Sequence, residues 1–424
     1  NLPQIDQDIL KFWEEHNIFQ QSVEQRPAEN SFVFYEGPPS ANGKPGIHHV
    51  MARTVKDLFC RFHSMKGQRV ERKGGWDTHG LPIELNVEKE LGITKEDIGS
   101  KISVDEYNAK CRETVMRDKD MWDNITRKMG YWVDLDNPYI TFENNYIETV
   151  WWLLQQLYQK GLLYKGFTIQ PFSPPAGTGL SSHELHMPGT YKDIKDISAV
   201  AQFKIKGTAD EYFLAWTTTP WTLPSNTALA VGKDITYVKV RAYNRYTGQL
   251  GTVILAKDRL SHYFTEAKPE LQPEEVKAGN KPIPYLEVLG EVKGHELEGM
   301  EYEQLMGYVQ PEKPAFKVLI GDFVSTDDGT GIVHIAPTFG ADDFRVAAKY
   351  GIPPLLVKDE EGNSGPLVDR QGRFVKEVTD FAGRYVKDYG QEEERPVDAD
   401  IVIKLKEENK LFHSEKYLHS YPHC

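Results

Sequence analysis

Three groups of residues in this 424-residue chain have types and spacings that suit chemistry. The first is Gly37, Pro38, Pro39, Asn42 and Gly43, followed by Pro45, Gly46, His48 and His49. A loop so rich in Gly and Pro stops any helix, and imidazoles at the start of the helix that follows suit an anion such as phosphate. Asp77, in a second Gly-rich loop, offers a carboxylate to an ammonium group. Trp76 and His79 flank it. The second group is Thr217, Thr218 and Thr219, closed by Pro220, with Asn226 seven residues beyond Thr219. Three adjacent hydroxyls can hold a water or a sugar by hydrogen bonds. The third is His334, alternating with Ile332, Val333 and Ile335, and the pair Asp342-Asp343. Each group also has a bland reading: surface histidines, a loop-capping Asp, a Thr-rich strand, a core histidine, and acidic residues at a helix start.

Elements must position these groups. The apolar run 31–35 reads as a buried strand before the first loop, and Val50, Met51, Val55, Leu58, Phe59 and Phe62 read as a helix after it. Strand, glycine-rich turn and helix together are the layout of a nucleotide site. Residues 4–19 form an amphipathic helix with Ile5, Ile9, Phe12 and Trp13 on one face. Ser103 and Glu106 have the spacing of a capping box, opening a helix that reaches about Met129. A helix over 148–160 ends before Gly161. Pro174, Pro175, Gly177, Gly179, Pro188 and Gly189 mark a crossing between domains. Short β-like runs follow at 198–206, 211–217, 237–242, 252–256, 316–320 and 331–335. Helices are expected over 341–350 and 398–410. The acidic run Glu392 to Glu394 reads as solvated surface.

Whole-chain properties bound the function. The length suggests two or three domains. Net charge is −13, so any nucleic-acid contact must come from local basic patches. Three cysteines, Cys60, Cys111 and Cys424, form no CxxC pair, which argues against a disulfide framework or structural zinc. No apolar run approaches the length of a membrane span, and the start lacks a secretory pattern. A cytoplasmic, monomeric enzyme without membrane contact is expected. The start without Met and the abrupt end after Tyr-Pro-His suggest a fragment.

Three stretches together resemble one family: PPSANG at 38–43 with GGWDTHGLPIE at 74–84, WTTTPWTLPSNTALAV at 216–231, and GTGIVHIAPTFGADDF at 329–344. In this order and at these separations they are similar to the class I aminoacyl-tRNA synthetases, specifically the isoleucyl type. The resemblance covers nearly the whole chain. It implies an α/β fold: the first half of a Rossmann-like nucleotide-binding catalytic domain, with an inserted β-rich, barrel-like editing domain. The expected boundaries are 1–190 for the catalytic half, 191–390 for the insert and 391–424 for the return, with HSYPHC at 419–424 re-entering the catalytic fold. It implies ATP as substrate with Mg2+, isoleucine and valine as ligands, and isoleucine tRNA as partner. The second catalytic half and the anticodon-binding domain of the family lie beyond this chain's length. No zinc is expected, since residues 168–190 hold His183 and His186 but no Cys.

Carried over position by position, the resemblance gives His48, His49 and Gly46 to ATP, Gly37 and Pro38 to the isoleucine pocket, and Asp77 to the isoleucine ammonium. One departure stands out. The family signature runs His-Ile/Val-Gly-His, whereas here it reads Gly46-Ile47-His48-His49. Either His48 restores an imidazole near its usual place, or the site is impaired. In the second domain, Thr217, Thr218 and Thr219 take water or terminal ribose, and Asn226 takes terminal adenosine or ribose. His334 walls the valine side chain. Asp343, beside Asp342, takes the ammonium. A second sieve is needed because one methylene is worth only about 1–3 kcal/mol in a hydrophobic pocket, a figure for which isoleucine-over-valine selection by this enzyme class is itself the standard example. Two other readings remain open: a stand-alone editing deacylase, and a non-catalytic tRNA-binding paralogue.

Overall fold

A computed structural model describes residues 1–166, 168–276, 282–359, 361–387 and 395–423. The chain divides into two units, Asn1–Gly166 and Phe167–Cys424. The acidic run 392–394, the boundary expected at 390/391 and the terminal Cys424 lie outside the described residues.

The first unit holds α1 (Leu2–Glu15), α2 (Ile18–Glu24), α3 (Ile47–Met65), β1 (Lys73–Trp76), α4 (Leu81–Leu91), α5 (Val104–Val115), α6 (Lys119–Lys128), β2 (Asp134–Ile140) and α7 (Asn144–Gln159). The helix expected over 4–19 breaks at Asn17, whose φ of 49° is left-handed. The capping box forms as its spacing predicts: the Ser103 side chain accepts from the Glu106 N–H, and the Ser103 N–H donates to Glu106 Oε2. Its helix stops at Val115 rather than near Met129. A tertiary bond explains the break, since the Asp118 N–H donates to the Ala41 carbonyl at 2.9 Å instead of continuing the helical ladder.

The strand expected over 31–35 does not form. Only an isolated bridge, Ser31 to Arg69, is present, and Val33 and Tyr35 are exposed. Just beyond this run side chains hold the backbone in place of a neighbouring strand: Tyr139 Oη donates to the Glu36 carbonyl and Lys56 Nζ to that of Gly37. Among the described residues, β1 and β2 are the parallel pair of this unit, with Trp76 opposite Ile140. The α3 helix forms as expected, yet its apolar stripe is open, with Met51 70% and Leu58 64% exposed, while Arg53, Cys60 and Ser64 face inward.

The second unit is built on one nine-stranded sheet. Its strands are β3 (Tyr191–Lys204), β4 (Glu211–Thr217), β5 (Ala228–Val231), β6 (Thr236–Tyr243), β7 (Leu250–Ala256), β8 (Glu287–Lys293), β9 (Lys317–Ile320), β10 (Ile332–Ile335) and β11 (Leu411–Pro422). Two helices of this unit carry polar residues of interest, α8 (Ala341–Tyr350) and α9 (Val397–Glu407). The sheet order is β8-β6-β7-β4-β10-β5-β9, and it branches at β4, which also pairs antiparallel with β3. The long β3 continues into an antiparallel pairing with β11, from Leu411 opposite Ala201 to Pro422 opposite Tyr191. The residues expected to leave the insert thus run back along the residues that enter it.

The short β-like runs all occur as strands. Both sheet faces are covered: Phe203, Phe213, Ala215, Leu229, Ile254 and Ile332 lie in one core, and Val200, Leu214, Val253 and Leu255 in another. Among the described residues, no helix is long and apolar enough to cross a membrane.

Candidate functional sites

In the first unit, the Gly-rich loop, α3 and α6 enclose a cavity of about 440 Å³. Gly37, Asn42, Gly43, Lys44, His49, Arg53, Lys56 and Trp122 are among its walls. The loop is held open by specific bonds: Trp122 Nε1–H donates to the Gly43 carbonyl at 2.8 Å, and the Asp77 N–H donates to the Pro39 carbonyl at 3.0 Å. Ala41, Trp76 and Trp122 form the small core behind it.

His49 caps its own helix. The Gly46 N–H donates to its Nδ1 at 2.9 Å, so a neutral His49 carries its proton on Nε2. Burial, followed by the positive neighbours His48 and Arg53, lowers its pKa. The His48 ring is exposed and lies on that of His49, centroids 3.8 Å apart. Of the residues expected here, Gly37 and His49 are cavity walls, whereas Pro38, Gly46, His48 and Asp77 are not among them. Asp77 is half-buried, and its Oδ1 accepts from the His79 N–H at 3.3 Å.

Sequence reasoning missed the basic members of this cavity. Arg53 lies over the Trp122 ring and donates to Thr126 Oγ1. Lys56 is paired with Glu36 at 2.6 Å, and Tyr131 Oη holds the other Glu36 oxygen at 2.7 Å. The signal was available: 49, 53 and 56 are spaced i, i+4, i+7 and share one face of α3. Lys44, Arg53 and Lys56 give the cavity the charge that phosphates need. Among the described residues, no group of three or more His, Cys, Asp or Glu is placed to hold a metal ion.

The second site is a polar cluster inside the second unit. Thr217 ends β4, and the chain then turns through a short 3-10 segment, Pro220–Ser225. Thr219 N–H donates to Thr217 Oγ1 at 3.1 Å, and the Thr217 and Thr219 hydroxyls lie 3.3 Å apart. The Thr222 hydroxyl donates to the Thr219 carbonyl at 2.8 Å. His334, on β10 opposite Leu229 of β5, has Nε2 2.8 Å from Thr222 Oγ1 and Nδ1 3.0 Å from Asn226 Nδ2. Thr217, Thr219, Asn226 and His334 are therefore brought together, and Thr218 lies half-buried on the same turn. Asn226 is enclosed, and its amide also donates to the Ala228 carbonyl at 2.9 Å. Burial pushes the His334 imidazole down to about 4, so it is neutral at physiological pH.

Asp343 sits in the first turn of α8, and its Oδ2 accepts the Ala336 N–H at 2.8 Å. Burial pushes its carboxyl up to about 6, against those backbone hydrogen bonds. Asp342 is exposed and paired with Arg345. Three supports were invisible in the sequence. Asp398 of α9 accepts the Trp221 N–H at 2.8 Å, fixing the turn from outside, and Lys387 bridges Asp398 (3.0 Å) and Asp196 (2.7 Å). Tyr302 Oη lies 2.6 Å from Asn226 Oδ1.

The family of tRNA synthetases class I (I, L, M and V) matches residues 8–331. The chain belongs to that family. Among curated relatives it is 63% identical to an isoleucine–tRNA ligase of Cytophaga hutchinsonii, over all of this chain and 40% of the relative. It is 55% identical to an isoleucine–tRNA ligase of Bacteroides fragilis, over all of this chain and 39% of the relative. It is 44% identical to that of Clostridium acetobutylicum, over 99% of this chain and 36% of the relative. The chain thus spans 36–40% of the length of these curated relatives. A crystal structure of GlLeuRS-CP1 is similar at 16% identity and a TM-score of 0.33, over 52% of this chain and all of that one.

Proposed function

We propose that this chain carries two reaction centres of an isoleucine–tRNA ligase: half of an isoleucine-activating site in the first unit, and a complete valine-removing hydrolytic site in the second. The observation that carries the reading is the cluster of Thr217, Thr219, Thr222, Asn226 and His334, joined by hydrogen bonds across two strands and a turn. The first unit is read as the first half of a Rossmann-like domain, and the insert as spanning about 191–390.

At the activating half-site, the carboxylate of isoleucine attacks the α-phosphorus of ATP and pyrophosphate leaves. Negative charge spreads over the phosphates, so fixed donors and cations are what the protein must supply. His49 Nε2–H, Arg53, Lys56 and Lys44 are those groups. Mg2+ would arrive on the ATP phosphates, in keeping with its preference for substrate oxygens. Asp77 takes the isoleucine ammonium, with Gly37 and Pro38 against the side chain, and His48 adds a second imidazole beside His49. The open apolar stripe of α3 is the face that the rest of the nucleotide fold covers. On this reading the chain by itself does not aminoacylate.

At the hydrolytic site, water adds to the valyl carbonyl, the ester bond to the terminal ribose breaks, and valine leaves. Asp343 holds the valine ammonium and Asp342 flanks it. Thr217, Thr218 and Thr219 hold the ribose and water, and His334 closes the side-chain pocket. Asn226 acts from behind the pocket wall by holding His334. No base is required of His334, since both ring nitrogens are engaged. Positioned water and the ribose hydroxyl suffice. The test is to incubate the chain with isoleucine tRNA mischarged with valine. Valine release above buffer is expected, slower than by the full-length protein, which grips more of the tRNA. No release by the chain while the full-length protein is active would sink the autonomous-hydrolysis reading. Isoleucine-dependent ATP–pyrophosphate exchange by the full-length protein tests the other centre; its absence would favour the non-catalytic paralogue.

A further inference from the structure

Tyr302 lies outside every motif of the sequence, yet it is enclosed in the core, with its ring against Phe203 and Phe316. Its hydroxyl meets Asn226 Oδ1 at 2.6 Å. The protons from there onward can be placed by elimination. The Ala228 carbonyl only accepts, so the Asn226 atom 2.9 Å from it must be the NH2 group. That orientation turns Oδ1 to Tyr302, which donates. It also turns the second amide N–H to His334 Nδ1 at 3.0 Å, so Nδ1 must be bare. A neutral imidazole with bare Nδ1 has its proton on Nε2, which donates to Thr222 Oγ1 at 2.8 Å. Thr222 then spends its own proton on the Thr219 carbonyl at 2.8 Å. The result is one chain of donors running in a single direction from Tyr302 to the threonine turn.

We propose that Tyr302 is a positioning residue of the hydrolytic pocket: by holding Asn226 Oδ1, while the Ala228 carbonyl holds the amide nitrogen, it keeps the Asn226 N–H on His334 Nδ1, and through His334 it steadies Thr222 and the turn bearing Thr217 and Thr219. The proposal rests on the reading of that turn as the hydrolytic site. Without the Tyr302 hydroxyl, Asn226 Oδ1 is a buried acceptor with no donor. Rotating the amide would bring Oδ1 against the Ala228 carbonyl, so the amide keeps its orientation with one bond fewer and holds His334 less firmly. The slack passes through His334 to Thr222 and the Thr219 carbonyl. One hydroxyl deep in the core thereby sets the geometry at the pocket mouth.

The test uses this chain with 15N-labelled histidine. The wild-type spectrum at neutral pH should show His334 protonated on Nε2 alone; protonation on Nδ1, or on both nitrogens, overturns the proposal without any variant. Tyr302→Phe should keep the Nε2–H tautomer, since the Ala228 carbonyl still orients the amide, but shift the His334 Nδ1 resonance as its hydrogen bond loosens, and kcat for valyl-tRNA hydrolysis should fall roughly tenfold with KM little changed, the size expected for one lost buried hydrogen bond. A variant with the wild-type Nδ1 resonance and kcat overturns the proposal. If Tyr302→Phe does not fold, Asn226→Asp replaces it: a carboxylate only accepts, so the tautomer must reverse and kcat must fall. A purely structural Tyr302 would lower stability and leave the His334 Nδ1 resonance and kcat unchanged. Absence of hydrolysis by the wild type is a failure of the hydrolytic reading, whereas hydrolysis indifferent to Tyr302→Phe is a failure of this inference alone.

Discussion

The imidazole of His48 occupies the space where a side chain on residue 46 would begin. A Cβ placed on Gly46 would stand 2.8 Å from His48 Cε1 and 3.0 Å from its Nδ1. The signature order Gly46-Ile47-His48-His49 therefore works as a pair: glycine at 46 leaves room for an imidazole that reaches back from 48. That imidazole also sits on the His49 ring, so two histidines remain together at the start of α3.

Gly46→Ala should displace the His48 ring, because the flexible side chain yields before the backbone does. We expect isoleucine-dependent ATP–pyrophosphate exchange by the full-length protein to fall by about an order of magnitude, as small misplacements near reacting groups commonly cost. His48→Ala should fall similarly, and adding it to Gly46→Ala should cost little more. The double exchange Gly46→His with His48→Gly, if it raised exchange above the wild type, would show that the present order impairs the site.

The hydrolytic site should lose activity in acid through Asp343. Its carboxyl titrates at about 6, so it is charged at neutral pH and protonated below that value. A neutral carboxyl no longer attracts an ammonium. The kcat/KM of valyl-tRNA hydrolysis should drop as pH falls through about 6, and Asp343→Asn should be slow throughout with that acid limb removed. An unchanged acid limb in the variant would assign the titration elsewhere.

Stability against pH should separate His334 from Asp343. His334 has a folded pKa of about 4, below its ordinary 6.5, so the unfolded chain takes its proton first and stability is lost as pH falls from 6.5 toward 4. Asp343 has the opposite sign: its raised pKa costs stability above about 6, and that cost is relieved as pH falls. Each amounts to roughly 3 kcal/mol at most, so the two largely offset in the wild type. Urea unfolding at pH 7.5 and 4.5 should show His334→Gln shifting the balance toward greater relative stability in acid, and Asp343→Asn shifting it the other way.

Asp398 should matter more than an ordinary surface carboxylate. It is buried, holds the Trp221 N–H and pairs with the half-buried Lys387. Asp398→Ala strands a buried backbone N–H and leaves Lys387 to Asp196 alone, so a loss of about 2 kcal/mol is expected. Asp398→Asn keeps an acceptor for Trp221 and should cost less. Denaturant midpoints of the two variants give the comparison. Equal small losses would mean that Lys387 is satisfied by Asp196 alone.

The sequence alone determined six of the nine strands of the large sheet, the Ser103–Glu106 cap and the helix over 341–350, because these follow from short apolar runs between turn residues and from short-range spacing. Its motifs also singled out Gly37 and His49, which are cavity walls, and Thr217, Thr219, Asn226 and His334, which meet in one polar cluster, but not Arg53 or Lys56. It failed where long-range contacts overrule local pattern. Residues 31–35 have strand composition but make only the single bridge of Ser31 to Arg69, and the helix from Val104 stops where Asp118 reaches Ala41. Only the tertiary structure decided which polar groups meet. Asn226 reads as a ligand contact on its motif, yet its amide is spent on Ala228, His334 and Tyr302. Tyr302, Asp398 and Lys387 carry no local signal, because a hydrogen bond between residues 76 or 177 positions apart leaves no period in the chain. The proton order along Tyr302, Asn226, His334 and Thr222 exists only once the fold has enclosed them, where each donor and acceptor must find its partner within the protein.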